Sequence, residues 1–130
     1  MEIKVGQQVK ISRVFDAQAV QAYAELTGDF NPVHFDAAYA AETIFGKPIV
    51  HGPLVLTLIT TLFANELPGP GSVYLSHNIK FLLPVYYNDE ITAVLTVLEI
   101  NDKQHIFIET IAVNQNGERV IDGTARLKKY

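Results

Sequence analysis

Pro53-Leu54-Val55-Leu56-Thr57-Leu58-Ile59-Thr60-Thr61-Leu62-Phe63-Ala64-Asn65-Glu66 is the stretch that decides the fold. It is too long for an ordinary strand. It opens with proline, which suits the first helical position because its missing N–H would have no partner there. Leu54, Val55, Leu56, Leu58, Ile59, Leu62 and Phe63 point in nearly every direction around such a helix, and a helix that is apolar all round is buried. The segment is therefore predicted to be the centre of the fold. Interrupted by Thr57, Thr60 and Thr61, it is also too short to span a bilayer. Leu67-Pro68-Gly69-Pro70-Gly71 stops it.

Downstream the sequence reads as β. Segments 73–83, 91–100, 106–113 and 120–127 are rich in β-branched and aromatic residues. Turn-forming residues separate them, among them Asn116-Gly117, a good hairpin signal. Short connections between long strands imply antiparallel pairing. Upstream, Gln8-Val9-Lys10-Ile11-Ser12-Arg13-Val14 alternates as a half-buried strand does. Asp16 then reads as an N-cap, Val20, Tyr23 and Ala24 recur at helical spacing, and Gly28 fits the left-handed residue that ends a helix. Asn31-Pro32 marks a turn or a new helix start, and Asp36 is placed to cap a short alanine-rich helix running to Glu42. Phe45-Gly46-Lys47-Pro48 breaks that pattern. The expected class is α+β: one strand, a helical region, a central apolar helix and four further strands, with the sheet wrapped around the helix.

Size and composition agree. The chain has 130 residues, 48% hydrophobic and 18% charged, which suits one packed domain over residues 1–130 and not a disordered segment. Its formal charge of −4 and the lack of any basic run beyond Lys128-Lys129 argue against a nucleic-acid partner. With no cysteine there is no disulfide framework, thiolate metal site or cysteine nucleophile. Met1-Glu2-Ile3-Lys4-Val5-Gly6 has no apolar signal-peptide core, so a cytoplasmic protein with no membrane partner is expected.

The candidate chemistry lies just before the central helix. Asp29 and His34 flank Asn31-Pro32 in a segment of irregular backbone, where a carboxylate and an imidazole can point into one cleft and move a proton to and from water. The plainer reading is that Asp29 caps the next turn and His34 bonds backbone. His51-Gly52-Pro53 is the second feature. Gly52 would stand at the helix start, where unpaired N–H groups favour negative charge and the missing side chain lets a ligand oxygen approach. The plainer reading there is a simple helix start. Asp29, His34, His51 and His77 match no zinc spacing, so no metal is expected. Ser12, Ser72 and Ser76 sit in no nucleophile elbow. His77 and His105 read as ordinary strand residues.

Thr27-Gly28-Asp29-Phe30-Asn31-Pro32-Val33-His34 and Pro48-Ile49-Val50-His51-Gly52 together resemble the signature of MaoC-like (R)-specific enoyl-CoA hydratases, of the hot-dog superfamily. The likeness continues through Leu67-Pro68-Gly69, Phe81-Leu82-Leu83-Pro84-Val85 and Asp89-Glu90. It implies a hot-dog fold, a five-stranded antiparallel sheet around a long helix, with residues 30–50 as an overhanging insertion covering the acyl group. It implies that Asp29 and His34 deprotonate a water that adds to C3 of a trans-2-enoyl-CoA and that a proton reaches C2, giving (R)-3-hydroxyacyl-CoA. Which of the two is base and which acid stays open. The same likeness makes the Gly52 N–H the site of the thioester oxygen, and sets Asn31, His51 and Thr60 near the substrate. It implies no cofactor beyond the coenzyme A of the substrate, a homodimer with the ligand channel where two copies meet, and a place in fatty-acid or polyhydroxyalkanoate-precursor metabolism. Lys47, Lys80, Arg126 and Lys128 are candidates to meet the anionic coenzyme. A 3-hydroxyacyl-acyl-carrier-protein dehydratase, a non-catalytic acyl-binding hot-dog module and a hot-dog thioesterase are the alternatives.

Overall fold

The computed structural model describes residues 2–130; Met1, the first residue of the expected domain, lies outside the described residues. The strand β1 (Gln8–Val14) leads into helix α1 (Ala17–Thr27). The Asp16 carboxylate accepts the Ala19 N–H at 2.9 Å at the start of α1, and Gly28 ends it with φ 83°, a left-handed conformation that costs glycine little. A 3₁₀ turn (Pro32–His34) and a short helix α2 (Ala37–Ala41, capped by Asp36) follow, and then the central helix α3 (Gly52–Asn65). Four strands complete the chain: β2 (Ser72–Phe81), β3 (Glu90–Ile100), β4 (His105–Val113) and β5 (Arg119–Lys129).

All five strands form one antiparallel sheet in the order β1-β3-β4-β5-β2. Strands β3, β4 and β5 are successive neighbours through short turns. Strand β2 departs from chain order: it pairs with β5, Ile79 opposite Gly123, while β3 takes β1 as its other neighbour, Ala93 opposite Ile11. The 82–89 connection, with Pro84 inside it, is no tight hairpin and carries the chain across the sheet instead. Strand β2 is left as one free edge.

Alternation along β3 and β4 sends Ile91, Ala93, Leu95 and Val97, and Ile106, Ile108 and Ala112, to the inner face. Helix α3 lies against that face and touches β1, β2, β3 and β4. Its Val55, Leu58, Ile59, Leu62 and Phe63 are buried. The expectation that α3 is buried all round is corrected here: Leu54, Leu56, Thr57, Thr60 and Thr61 are only half-buried, because a single sheet covers one side of a helix. Among the described residues no helix is long and apolar enough to cross a membrane.

Candidate active site

The site forms where the end of α1, the 3₁₀ turn and the start of α3 meet. Gly28 turns the chain out of α1, so Asp29 emerges on irregular backbone with its side chain 44% exposed. Its Oδ1 accepts the Asn31 N–H at 3.2 Å, and Asn31 Oδ1 accepts the Val33 N–H at 3.2 Å, capping the 3₁₀ turn. The plain capping reading of this stretch is thus realised, and it coexists with a convergence of titratable groups. One carboxylate oxygen of Asp29 and one ring nitrogen each of His34 and His51 lie within 4.8 Å of one another.

The proton positions follow from the acceptors. His34 Nδ1 lies 2.9 Å from the Ile49 carbonyl, which can only accept, so Nδ1 carries a proton and the neutral ring keeps its free lone pair at Nε2. By the same reasoning His51 Nε2, 3.0 Å from the Asp29 carbonyl, is its protonated nitrogen. That nitrogen is also 4.0 Å from Asp29 Oδ2. The two imidazoles stack at 3.7 Å between centroids. His51 is fully buried, and burial pushes its pKa below the usual histidine value. Asp29, His34 and His51 are also the group whose atoms could meet a metal ion. His34 Nδ1 and His51 Nε2 already serve backbone carbonyls, which leaves the carboxylate, His34 Nε2 and the buried His51 Nδ1 with free lone pairs.

Gly52 begins α3, and its N–H makes no hydrogen bond among the described residues. A Cβ at this position would stand 3.0 Å from the ring of Phe81, so the aromatic side chain lies directly against the glycine. Gly52 also lines an apolar cavity of about 380 Å³. Ile44, Phe45 and Ile49 of the insertion, Val55 of α3 and the 81–85 segment enclose it, with Val120 and Ile121 of β5.

Sequence reading missed the residues that pin the insertion. The Tyr87 hydroxyl donates to the His34 carbonyl, and the Tyr86 hydroxyl donates to the Phe45 carbonyl at 2.9 Å. Val50 N–H donates to the Val85 carbonyl at 2.7 Å. The available signal was two adjacent tyrosines, Tyr86 and Tyr87, just before the turn residues Asn88 and Asp89. His51, expected among the substrate contacts, offers no surface to a ligand in this chain and bonds backbone instead. Thr60 lies outside the cluster's hydrogen bonds, its hydroxyl donating to the Thr57 carbonyl at 3.2 Å. His77, read as an ordinary strand residue, joins Tyr74 and the buried Thr110 in a polar cluster beside Phe63. Of the four basic candidates, Lys47 sits over the Tyr86 ring at the insertion, 4.5 Å from its centroid. Lys80 lines a separate polar hollow, Arg126 binds His105, and Lys128 covers Tyr130.

This architecture is the hot-dog fold, and the chain belongs to the family described as "MaoC like domain", which matches residues 2–119. Among individual proteins it is similar to the (R)-specific enoyl-CoA hydratase of Aeromonas caviae, with 42% identity over 97% of this chain and 95% of the relative. The solved structure of the (R)-hydratase from A. caviae involved in PHA biosynthesis superposes with a TM-score of 0.93 at 40% identity, covering 98% of both chains. A mitochondrial 3-hydroxyacyl-[acyl-carrier-protein] dehydratase of Arabidopsis thaliana is 34% identical over 95% of this chain and 75% of its own length.

Proposed function

We infer that this protein is an (R)-specific enoyl-CoA hydratase, a hydro-lyase that adds water reversibly to trans-2-enoyl-CoA. The observation that carries the reading is the meeting of Asp29 and His34 beside His51, whose next residue, Gly52, has an unbonded N–H at the start of α3. A water held between the Asp29 carboxylate and His34 Nε2 faces two acceptors. Its hydrogens go to them, and an oxygen lone pair is left to attack C3 of the enoyl thioester. As the C3–O bond forms, the C2–C3 π electrons move toward the thioester, and negative charge develops on its oxygen. The Gly52 N–H and the positive end of α3 stabilise that charge. One proton of the water passes to the Asp29–His34 pair, and the pair returns a proton to C2, so the elements of water have added across the double bond.

Asn31 serves by shaping the turn that presents Asp29 and His34, a role supported by its cap of the 3₁₀ turn. Thr60 is assigned to the ligand channel on the strength of its half-buried place along α3. The apolar cavity beside Gly52 is assigned to the acyl chain, since both the insertion and α3 wall it. The chemistry asks for no metal or redox cofactor, because the thioester itself acidifies C2. A cytoplasmic setting, with coenzyme A as the substrate's carrier, completes the reading.

A homodimer is supported by what the single chain leaves uncovered. Strand β2 is a free edge with Val73, Tyr74 and Leu75 exposed, and Phe81, Leu82 and Leu83 continue that apolar surface at its end. Long apolar edges of this kind are usually covered by another chain. Kinetics on crotonyl-CoA and on the same acyl group carried by acyl-carrier protein test the substrate, with chiral analysis of the product. The expected result is preference for the coenzyme A thioester and (R)-3-hydroxybutyryl-CoA as product. A strong preference for the carrier-protein thioester would make the protein a dehydratase of fatty-acid synthesis instead.

A further inference from the structure

We propose that His51 is a positioning residue for this reaction: through its Nε2–H and its ring face it locks Asp29, His34 and the Gly52 N–H into one unit. The proposal rests on the reading of Asp29 and His34 as the acid–base pair. It starts from a side chain with 0% exposure, which no substrate atom can reach in this chain. Three elements meet on it. Its Nε2–H donates to the carbonyl of Asp29, at the exit of α1, at 3.0 Å. Its ring stacks on His34 of the 3₁₀ turn, 3.7 Å between centroids and 29° between planes. Its own carbonyl accepts the N–H groups of Leu54 and Val55 at 3.1 and 3.2 Å, so it fixes the first turn of α3, where Gly52 stands.

The rest of its surroundings fit that task. Tyr23 of α1 lies against the ring at 4.7 Å, and Phe35 meets it edge-on at 5.9 Å. Among the described residues Nδ1 is buried with no hydrogen-bond partner. An unpaired buried nitrogen costs stability, a cost that a packing residue such as phenylalanine would not carry. A second proton would sit on that partnerless nitrogen, and burial lowers the ring's affinity for it. The ring stacked on His34 is thereby kept neutral, so it sets no positive charge against a proton held by the Asp29–His34 pair. The neutral imidazole supplies both a ring face for His34 and a donor edge for the Asp29 carbonyl.

The test uses H51F, which keeps a ring but removes the donor, and H51Q, which restores an amide N–H near the position of Nε2. H34Q serves as the control on the acid–base reading. With folding checked by circular dichroism, H51F should lose about 10- to 100-fold in kcat while KM for crotonyl-CoA stays within about threefold. H51Q should regain at least about threefold of that loss. Wild-type kcat in H51F, a rise in KM alone, or H51Q no better than H51F would each overturn the proposal. Should H51F fail to fold, long-range proton–nitrogen NMR of the wild-type histidine rings decides. The expected signature is a neutral His51 protonated at Nε2 at about pH 7, and a cationic or Nδ1-protonated ring would overturn it. An H34Q enzyme of full activity would instead sink the acid–base reading, whatever His51 does.

Discussion

Replacing Gly52 by proline deletes the N–H assigned to the thioester oxygen and leaves most else in place. Proline is favoured at the first position of a helix, where Gly52 stands. The preceding residue must be extended, and His51 already has φ −57° and ψ 129°. The deleted N–H makes no hydrogen bond among the described residues. The added Cβ would meet Phe81 at 3.0 Å, a contact with the edge of a side chain and not with backbone. G52A adds the same Cβ while keeping the N–H, so it controls both for the contact with Phe81 and for a side chain placed before Pro53. Both variants should stay within about 1 kcal/mol of wild type, since reduced unfolded-chain freedom offsets the crowding. At roughly 0.27 kcal/mol per degree for a chain of this length, that is a shift in Tm of about 4 °C or less. Loss of one oxyanion donor costs about 2.7–4 kcal/mol in the transition state. Thus kcat for crotonyl-CoA hydration should fall about 10²–10³-fold in G52P and less than about tenfold in G52A. A folded G52P enzyme within about threefold of G52A would refute the assignment of this N–H.

Burial lowers the pKa values of His51 and His77, so each binds a proton less readily folded than unfolded. Their contribution to stability is fully present above the unfolded value of about 6.5 and is lost as pH falls below it toward the lowered folded values. The urea midpoint should therefore be flat from about pH 8 to 7 and decline toward about pH 5; a midpoint that rises on acidification contradicts this. Sedimentation at micromolar concentration should give the mass of two copies, and a fully active monomer would show that the β2 edge is not the route to a working site.

Elements specified by neighbouring residues were legible in advance. The alternation over β1, the Asp16 cap and the Gly28 stop are local, and they stand where the sequence put them. Strand order was not legible, because pairing of β2 with β5 joins segments far apart in the chain and leaves no periodic trace. The open side of α3 was hidden for a related reason: apolar residues all round a helix do not say whether sheet or a second surface meets each side. At the site, spacing alone suited caps as well as catalysis. Both descriptions hold, since Asp29 accepts the Asn31 N–H and its carboxylate meets two histidine rings. The burial of His51 depends on Tyr23 and Phe35 packing against it from other elements, and the hold of Tyr87 on His34 spans 53 positions. Neither is a pattern that a linear reading contains.

The most direct test of the acid–base pair is hydration of crotonyl-CoA by purified wild type, D29N and H34Q, followed as loss of the conjugated enoyl thioester. Asparagine and glutamine keep the approximate size of the side chains but cannot cycle a proton at the reacting water. Each substitution should lower kcat by at least about 100-fold with the circular dichroism spectrum unchanged. Equal activity in all three proteins would mean that the water is activated elsewhere.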